Sequence, residues 1–188
     1  MVSYDAELPQ LPGYPLNLDP IERAMLAMSY GVHVIGSFDG ESTHNVMIAD
    51  WAMQVSFKPR LVAVSIENDA RTLRYVRQTK AFSVNMLHQK DGAAIAKRVV
   101  MPAEGRKIKG RSEAEAARVH DKLSGLRHQF DAHNCPILLD ALGWYSCEVE
   151  QFVETGDHTI VVGRVTDGAV QRDGEMLTER ELGWEYAG

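Results

Sequence analysis

Strand-like segments in this chain are many and are often joined by turns too short to carry a parallel crossover. Val32, Val34 and Ile35 read as a strand that stops at Phe38-Asp39-Gly40, and Asp-Gly is a strong tight-hairpin signal. The return strand is expected over 43–49. Segments 61–66 (LVAVSI) and 81–87 (AFSVNML) are rich in β-branched and apolar residues and read as further strands. Two long strands, 143–153 and 158–165, meet at Glu154-Thr155-Gly156-Asp157. Parallel neighbours need a crossover of about a dozen residues or more, so a doubly wound sheet is excluded. The pattern predicts a mainly β, α+β chain: an antiparallel barrel with a few covering helices.

The helices lie between these strands. Four prolines in the first twenty residues give an extended arm over 1–19. A helix then starts at Pro20, with Asp19 as its cap and Glu22 three residues on, and its run ends near Gly31. Residues 70–78 predict a short helix capped by Asn68 or Asp69, with Leu73, Val76 and Arg77 at helical spacing. Residues 90–99 predict another, with Ala93, Ala94 and Ile95 on its apolar side, and residues 112–123 also look helical. Residues 97–111 hold six basic side chains and one acid, which reads either as a solvated loop or as a mobile loop near a phosphorylated ligand. The expected organisation is an arm (1–19), one domain (20–170) and an acidic tail (171–188).

Composition removes several functions. The net charge of −6 disfavours a nucleic-acid binder, which needs a basic surface. No run approaches a membrane span, and the N-terminus lacks the basic start and apolar stretch of a signal peptide. Two cysteines, Cys135 and Cys147, are too few for a disulfide framework and fit a reducing cytoplasm. Phosphate-loop, dinucleotide and metalloprotease signatures are missing, and no two of the seven histidines stand at i, i+4. No metal site is expected.

The informative block is 45–87, NVMIADWAMQVSFKPRLVAVSIENDARTLRYVRQTKAFSVNML. Asn45, Met47, Trp51, Val55, Ser56, Pro59, Leu61, Val62, Arg71, Thr72, Phe82, Val84, Asn85 and Leu87 match a recurrent pattern. In it a strand N-x-M-T-x-x-W runs into T-x-V-S-x-x-P-P-L-V, followed by a helix opening in Arg/His-Thr and a strand F-x-V-N. CPILLDALGWYSCEVE then leads to a closing hairpin, and Gly156-Asp157-His158 opens a G-D-H-x-x-x-x-G-x-V motif. Together these pieces resemble the flavin reductase family of FMN-binding split barrels, especially its flavoredoxin-like branch, over about residues 20–170. Departures are Ile48 where Thr is frequent, Asp50 where Ser, Asn or Ala is usual, and Arg60 where a second Pro is usual.

The resemblance implies a split β-barrel homodimer with FMN near the subunit interface, FAD as an exchangeable substrate, and NADH or NADPH as hydride donor. Reduced flavin would pass to a flavin-dependent monooxygenase or another electron acceptor. Met47, Ile48, Ala49, Asp50 and Trp51 would line the ring with Asn85, Met86 and Leu87. Gln54, Val55, Ser56 and Phe57, in a loop over 50–58, would converge with Arg71 and Thr72 on the phosphate and ribityl chain. A helix start favours an anion through its unpaired N–H groups and dipole. His158 would position the nicotinamide. Each residue also has a plainer reading: Ser56 in a turn, Thr72 as a first-turn residue, Trp51 in the core, His158 building the hairpin. Asn85 is harder to dismiss, because an amide inside an apolar strand must find partners. Two other functions remain open: an FMN electron-transfer protein without NAD(P)H oxidase activity, and a split barrel holding haem.

Overall fold

The computed structural model describes residues 19–100 and 121–184. The elements run α1 (Pro20–Leu26), β1 (His33–Phe38), β2 (His44–Ala49), β3 (Ala52–Ser56), β4 (Leu61–Glu67), α2 (Arg71–Thr79), β5 (Ala81–Met86) and α3 (Gly92–Val99). They continue with β6 (His128–Phe130), β7 (Pro136–Leu138), β8 (Gly143–Thr155), β9 (His158–Val170) and α4 (Glu179–Leu182). Seven strands form one sheet in the order β2-β1-β5-β8-β9-β4-β3, and every pairing in it is antiparallel. Its edge strands, β2 and β3, are consecutive in the chain but not hydrogen-bonded to each other. The barrel is therefore split between them, and Asp50 and Trp51 cross the split.

Alternation along the strands sorts the side chains into two cores. Ile35, Ala49, Val62, Val64, Ile66, Phe82, Val84, Cys147 and Val161 meet inside the barrel, where Leu73 and Val76 of α2 join them. Val32, Val34, Val46 and Leu87 face outward under α3 (Ala96, Val99), Leu123, Leu138, Ala141 and Leu177. Close approach at one point requires glycine: a Cβ on Gly36 would collide with Ser83 Oγ and the Pro136 carbonyl, so β7 rests directly on β1. Among the described residues, no helix is long and apolar enough to cross a membrane.

The barrel architecture agrees with the sequence pattern, while several local expectations do not hold. Asp19 caps α1 with a full capping box, yet the helix stops at Leu26 rather than near Gly31. The Asp39-Gly40 turn is wider than a two-residue hairpin. Asp39 Oδ1 accepts from the amides of Glu41, Ser42 and Thr43 at 2.8, 2.9 and 2.9 Å, closing a loop over 39–43. Residues 50–58 are mostly not a loop, because Ala52–Ser56 pairs with β4 as the edge strand. Neither Asn68 nor Asp69 caps α2; the cap is Ala70, which has no side-chain bond to give. In α3, Ala93 and Ile95 pack against the outer core as expected beside the buried Gly92, Ala96 and Val99, but Ala94 is exposed. Residues 121–123 are not helical. The arm over 1–18, residues 101–111 of the basic segment and 112–120 of the expected helix lie outside the described residues.

Gln171 onward does not trail away. Gln171 Nε2 donates to the Leu138 carbonyl at 2.9 Å, and Arg172 pairs with Asp91. Leu177 is 2% exposed, and its backbone bonds both Leu87 and Val32 at 2.8 and 2.7 Å. Residues 171–184 are thus part of the domain, covering its outer core.

Candidate functional site

One end of the barrel gathers most of the chemistry-bearing side chains. The β8–β9 hairpin turns at Gly156 (φ +49°) and Asp157, and glycine relieves the left-handed strain there. His158 pairs with Glu67 across β4. Its imidazole is only 13% exposed and lies 5.1 Å, centroid to centroid, from the Trp51 ring. His158 Nδ1 stands 2.7 Å from Asp157 Oδ1. An ionised carboxylate only accepts, so Nδ1 carries the hydrogen and Nε2 of the neutral ring is left as an acceptor. The same bond holds the Asp157 carboxyl below its usual range. His158 is therefore a packed residue with a fixed ring, whatever it contributes to the turn.

The loop into α2 is tied to this hairpin. Asn68 N donates to the Asp157 carbonyl at 2.9 Å, Asn68 Nδ2 to the Gly156 carbonyl at 3.1 Å, and Thr159 Oγ1 to Asn68 Oδ1 at 2.7 Å. That network brings the start of α2 to the same end as Trp51 and His158. Arg71 opens the helix, no acid lies in its first turn and no side chain caps it. Lys122 stands near Arg71: burial and the guanidinium together push its ammonium down to about 8. The first amides of a helix and its dipole favour an anion, and Arg71 stands at that end. The donors present here fit a phosphate monoester. Thr72 is 1% exposed and its Oγ1 accepts from Asn45 Nδ2 at 2.8 Å, so it anchors the helix start to β2.

The other expected residues separate by face and by end. Met47 and Ala49 belong to the barrel interior, whereas Ile48 and Leu87 belong to the outer core. Asn85 points outward to β7. Its Nδ2 donates to the Val34 and Pro136 carbonyls at 3.1 and 3.2 Å, and its Oδ1 accepts from Leu138 N at 2.7 Å. The amide did find partners, all of them backbone. Met86 is half-buried at the end of β5, opposite Gly143. Gln54, Val55, Ser56 and Phe57 lie toward the far end of the β3–β4 ladder, where Ser56 opposes Leu61. The length of β4, roughly 20 Å, separates that end from α2. Within one chain they do not converge with Arg71. Met53, Val55 and Phe57 are 66%, 44% and 84% exposed along this edge.

Asp50 and Trp51 sit at the split. Trp51 N donates to Asp50 Oδ1 at 2.9 Å, and the Trp51 carbonyl accepts from Ser65 N at 2.9 Å. The Tyr30 ring is 6.5 Å from that of Trp51. Sequence reasoning missed Tyr30, Asn68, Lys122 and Glu179 as neighbours of this site. In sequence Asn68 looks like a helix cap, and Glu179 is one of several acids in a charged stretch. Nothing in the local sequence of Lys122 marked it. Among the described residues there is no group of three or more His, Cys, Asp or Glu placed to hold a metal ion.

The split antiparallel barrel places the start of α2 and the Trp51–His158 pair at one end. The chain matches the flavin reductase like domain over residues 25–182 and belongs to that family. It is 26% identical over 157 residues to the high molecular weight rubredoxin of Moorella thermoacetica, covering 83% of this chain and 62% of the relative. It is 29% identical over 169 residues to diflavin flavoprotein A 1 of Synechocystis, covering 88% of this chain and 27% of the relative. Among solved structures, flavin reductase PheA2 in its native state superposes with a TM-score of 0.66 at 28% identity, covering 86% of this chain and 93% of that one.

Proposed function

We propose that this chain binds FMN and catalyses its reduction by NADH or NADPH, with FAD as an exchangeable alternative. One observation carries the reading: the start of α2, opened by Arg71 and near Lys122, is tied by Asn68 to the hairpin that holds His158 against Trp51. Arg71, Lys122 and the first amides of α2 would hold the phosphate, with Thr72 positioning the helix start through Asn45. Met47, Ala49 and Trp51 would lie along the ring. When bound, the flavin supplies the hydride-accepting ring system, and the chain's own task is orientation and exclusion of water. His158, fixed by Asp157, would offer Nε2 to the carboxamide N–H of the nicotinamide. The exposed edge of Met53, Val55 and Phe57 is the surface we assign to a second copy in a homodimer. Reduced flavin would then pass to a flavin-dependent monooxygenase or another electron acceptor.

The reading is tested on His158. His158→Ala should lower thermal stability modestly, since the ring packs on Trp51, while leaving the protein folded and slowing flavin reduction by NAD(P)H in stopped flow far more than it weakens FMN binding. Positioning effects of this kind reach about a hundredfold or more. Unchanged reduction in the folded variant would leave His158 with its turn role only. A second reading has support in the names of the relatives, a rubredoxin and a diflavin flavoprotein, neither of which specifies a nicotinamide substrate. In it the chain carries electrons on tightly held FMN without oxidising NAD(P)H. Steady-state NADH and NADPH oxidation with added free FMN or FAD separates the two, since only a reductase turns over.

A further inference from the structure

Asn68 stands between β4, which ends at Glu67, and α2, which opens at Arg71. It is exposed and belongs to neither core, yet its backbone N–H and both ends of its side chain are bonded to the β8–β9 hairpin. Nδ2 donates to the Gly156 carbonyl at 3.1 Å, and Oδ1 accepts from Thr159 Oγ1 at 2.7 Å. One carbonyl and one hydroxyl partner thus set which way the amide faces. The side chain grips the hairpin on both sides of His158. Thr159 is 0% exposed, and its hydroxyl also accepts from Arg77 Nη2 of α2 at 3.3 Å.

Hairpin formation does not need this grip. β8 and β9 pair from Gly143↔Val170 to Thr155↔His158, and β4 adds its last pair at Glu67↔His158. Gly156 and Asp157 stand beyond those pairs and are exposed, and exposed turns are the parts of a fold that open at least cost. Asn68 joins this tip to the turn that leads into α2. In that turn the Ala70 N–H donates to the Glu67 carbonyl at 3.0 Å, and Arg71 follows at once. One exposed side chain therefore links the helix start to the segment that carries His158.

We propose that Asn68 is a positioning residue that couples the phosphate site at the start of α2 to the placement of His158. The phosphate of FMN then raises the rate of reduction as well as the affinity. The proposal rests on the flavin reading of this end of the barrel. Phosphate held at Arg71 fixes the first turn of α2 and the 67–70 turn before it, and Asn68 passes that order to the hairpin tip. A flavin without the phosphate fills the ring site but leaves the tip to be held by the hairpin alone. Binding energy from a remote, non-reacting group is in this way used to orient the reacting ones. The reaction itself is unchanged: one hydride, carrying both electrons, leaves the nicotinamide for the flavin. Asn68 touches neither and acts through His158.

The experiment uses the full chain as wild type, Asn68→Ala, Thr159→Val, His158→Ala and the Asn68→Ala/His158→Ala double variant. Each is given FMN or riboflavin, and reduction by excess NADH or NADPH is followed at the flavin band in stopped flow and extrapolated to saturating flavin. The wild type should reduce FMN about tenfold faster than riboflavin, and in Asn68→Ala that ratio should shrink to about twofold or less. Thr159→Val removes one hydroxyl and keeps the Gly156 bond, so it should lose part of the ratio. With His158 already replaced, Asn68→Ala should slow FMN reduction no further. Equal rates for the two flavins in the wild type, or a ratio that Asn68→Ala leaves unchanged, overturn the coupling. A further loss in the double variant overturns its route through His158. Flavin spectra unperturbed in every protein, the wild type included, overturn the flavin reading itself, a result distinct from flavins that bind and are reduced at equal rates.

Discussion

Arg71→Ala weakens FMN binding about tenfold to a hundredfold and leaves riboflavin affinity nearly unchanged, because only FMN carries the phosphate. The magnitude follows from one charge-assisted hydrogen bond, worth roughly 1.5–3 kcal/mol. Here the bond is set at a helix start whose first turn holds no acid and whose cap makes no side-chain bond. Lys122→Ala should act in the same direction, since the two cations repel each other and a dianion between them removes the repulsion. Once FMN is bound, the Lys122 ammonium should therefore return upward from about 8 toward its ordinary range. Paired isothermal titrations with FMN and riboflavin measure both expectations. Equal losses for the two ligands would assign Arg71 to structure rather than to the phosphate.

Asn85→Leu is expected to cost about 3 kcal/mol or more, the largest stability loss of any single change considered, because unsatisfied buried polar groups each cost roughly 1–3 kcal/mol. The substitution strands the Leu138 amide in a site that is 0% exposed and takes a donor from the Val34 and Pro136 carbonyls, the second of which keeps its bond from Ser83 Oγ. These three bonds fasten β5 to β1 and to β7, so their loss frees the ribbon covering the outer core. Thermal denaturation of wild type and variant in the cofactor-free form gives the value. For a chain of this size the melting temperature should fall by roughly 6–12 °C. A loss below about 1 kcal/mol would mean that water or repacking replaces the bonds. The sequence pattern marked Asn85 correctly as a polar residue that must be satisfied. It could not show whether the partners were a ring or a backbone, because both answer the same hydrogen-bonding need.

That ambiguity runs through the candidate site. The long hairpin, the β4 and β5 strands and the capping box at Asp19 were legible because alternation, β-branched runs and cap residues are local signals. The edge strand β3 was not. Ala52, Met53, Gln54 and Val55 mix apolar and polar residues without alternation, since an exposed edge needs no buried face. The β6–β7 ribbon was missed for a related reason: its strands are three residues each, too short for any period to register. Leu177 shows the opposite failure. One buried apolar residue within a charged stretch holds 171–184 onto the domain, and no periodic pattern announces it. The convergence of Trp51, Asn68, Arg71, Lys122 and His158 depends on register between β4 and β9 and on one asparagine bridging two loops. Such juxtapositions are set by tertiary pairing, so the family resemblance brought only Trp51, Arg71 and His158 into view, and the geometry added Asn68 and Lys122.

The central claim is that the end of the barrel around Trp51, His158 and α2 takes a flavin. Titrating cofactor-free protein with FMN, followed by flavin fluorescence and visible absorbance, tests it most directly. Saturable quenching or a shifted flavin band, with a dissociation constant at or below tens of micromolar (about −6 kcal/mol or tighter), is the predicted result. Flavin spectra that stay unperturbed through that range, in protein shown to be folded, would contradict the account.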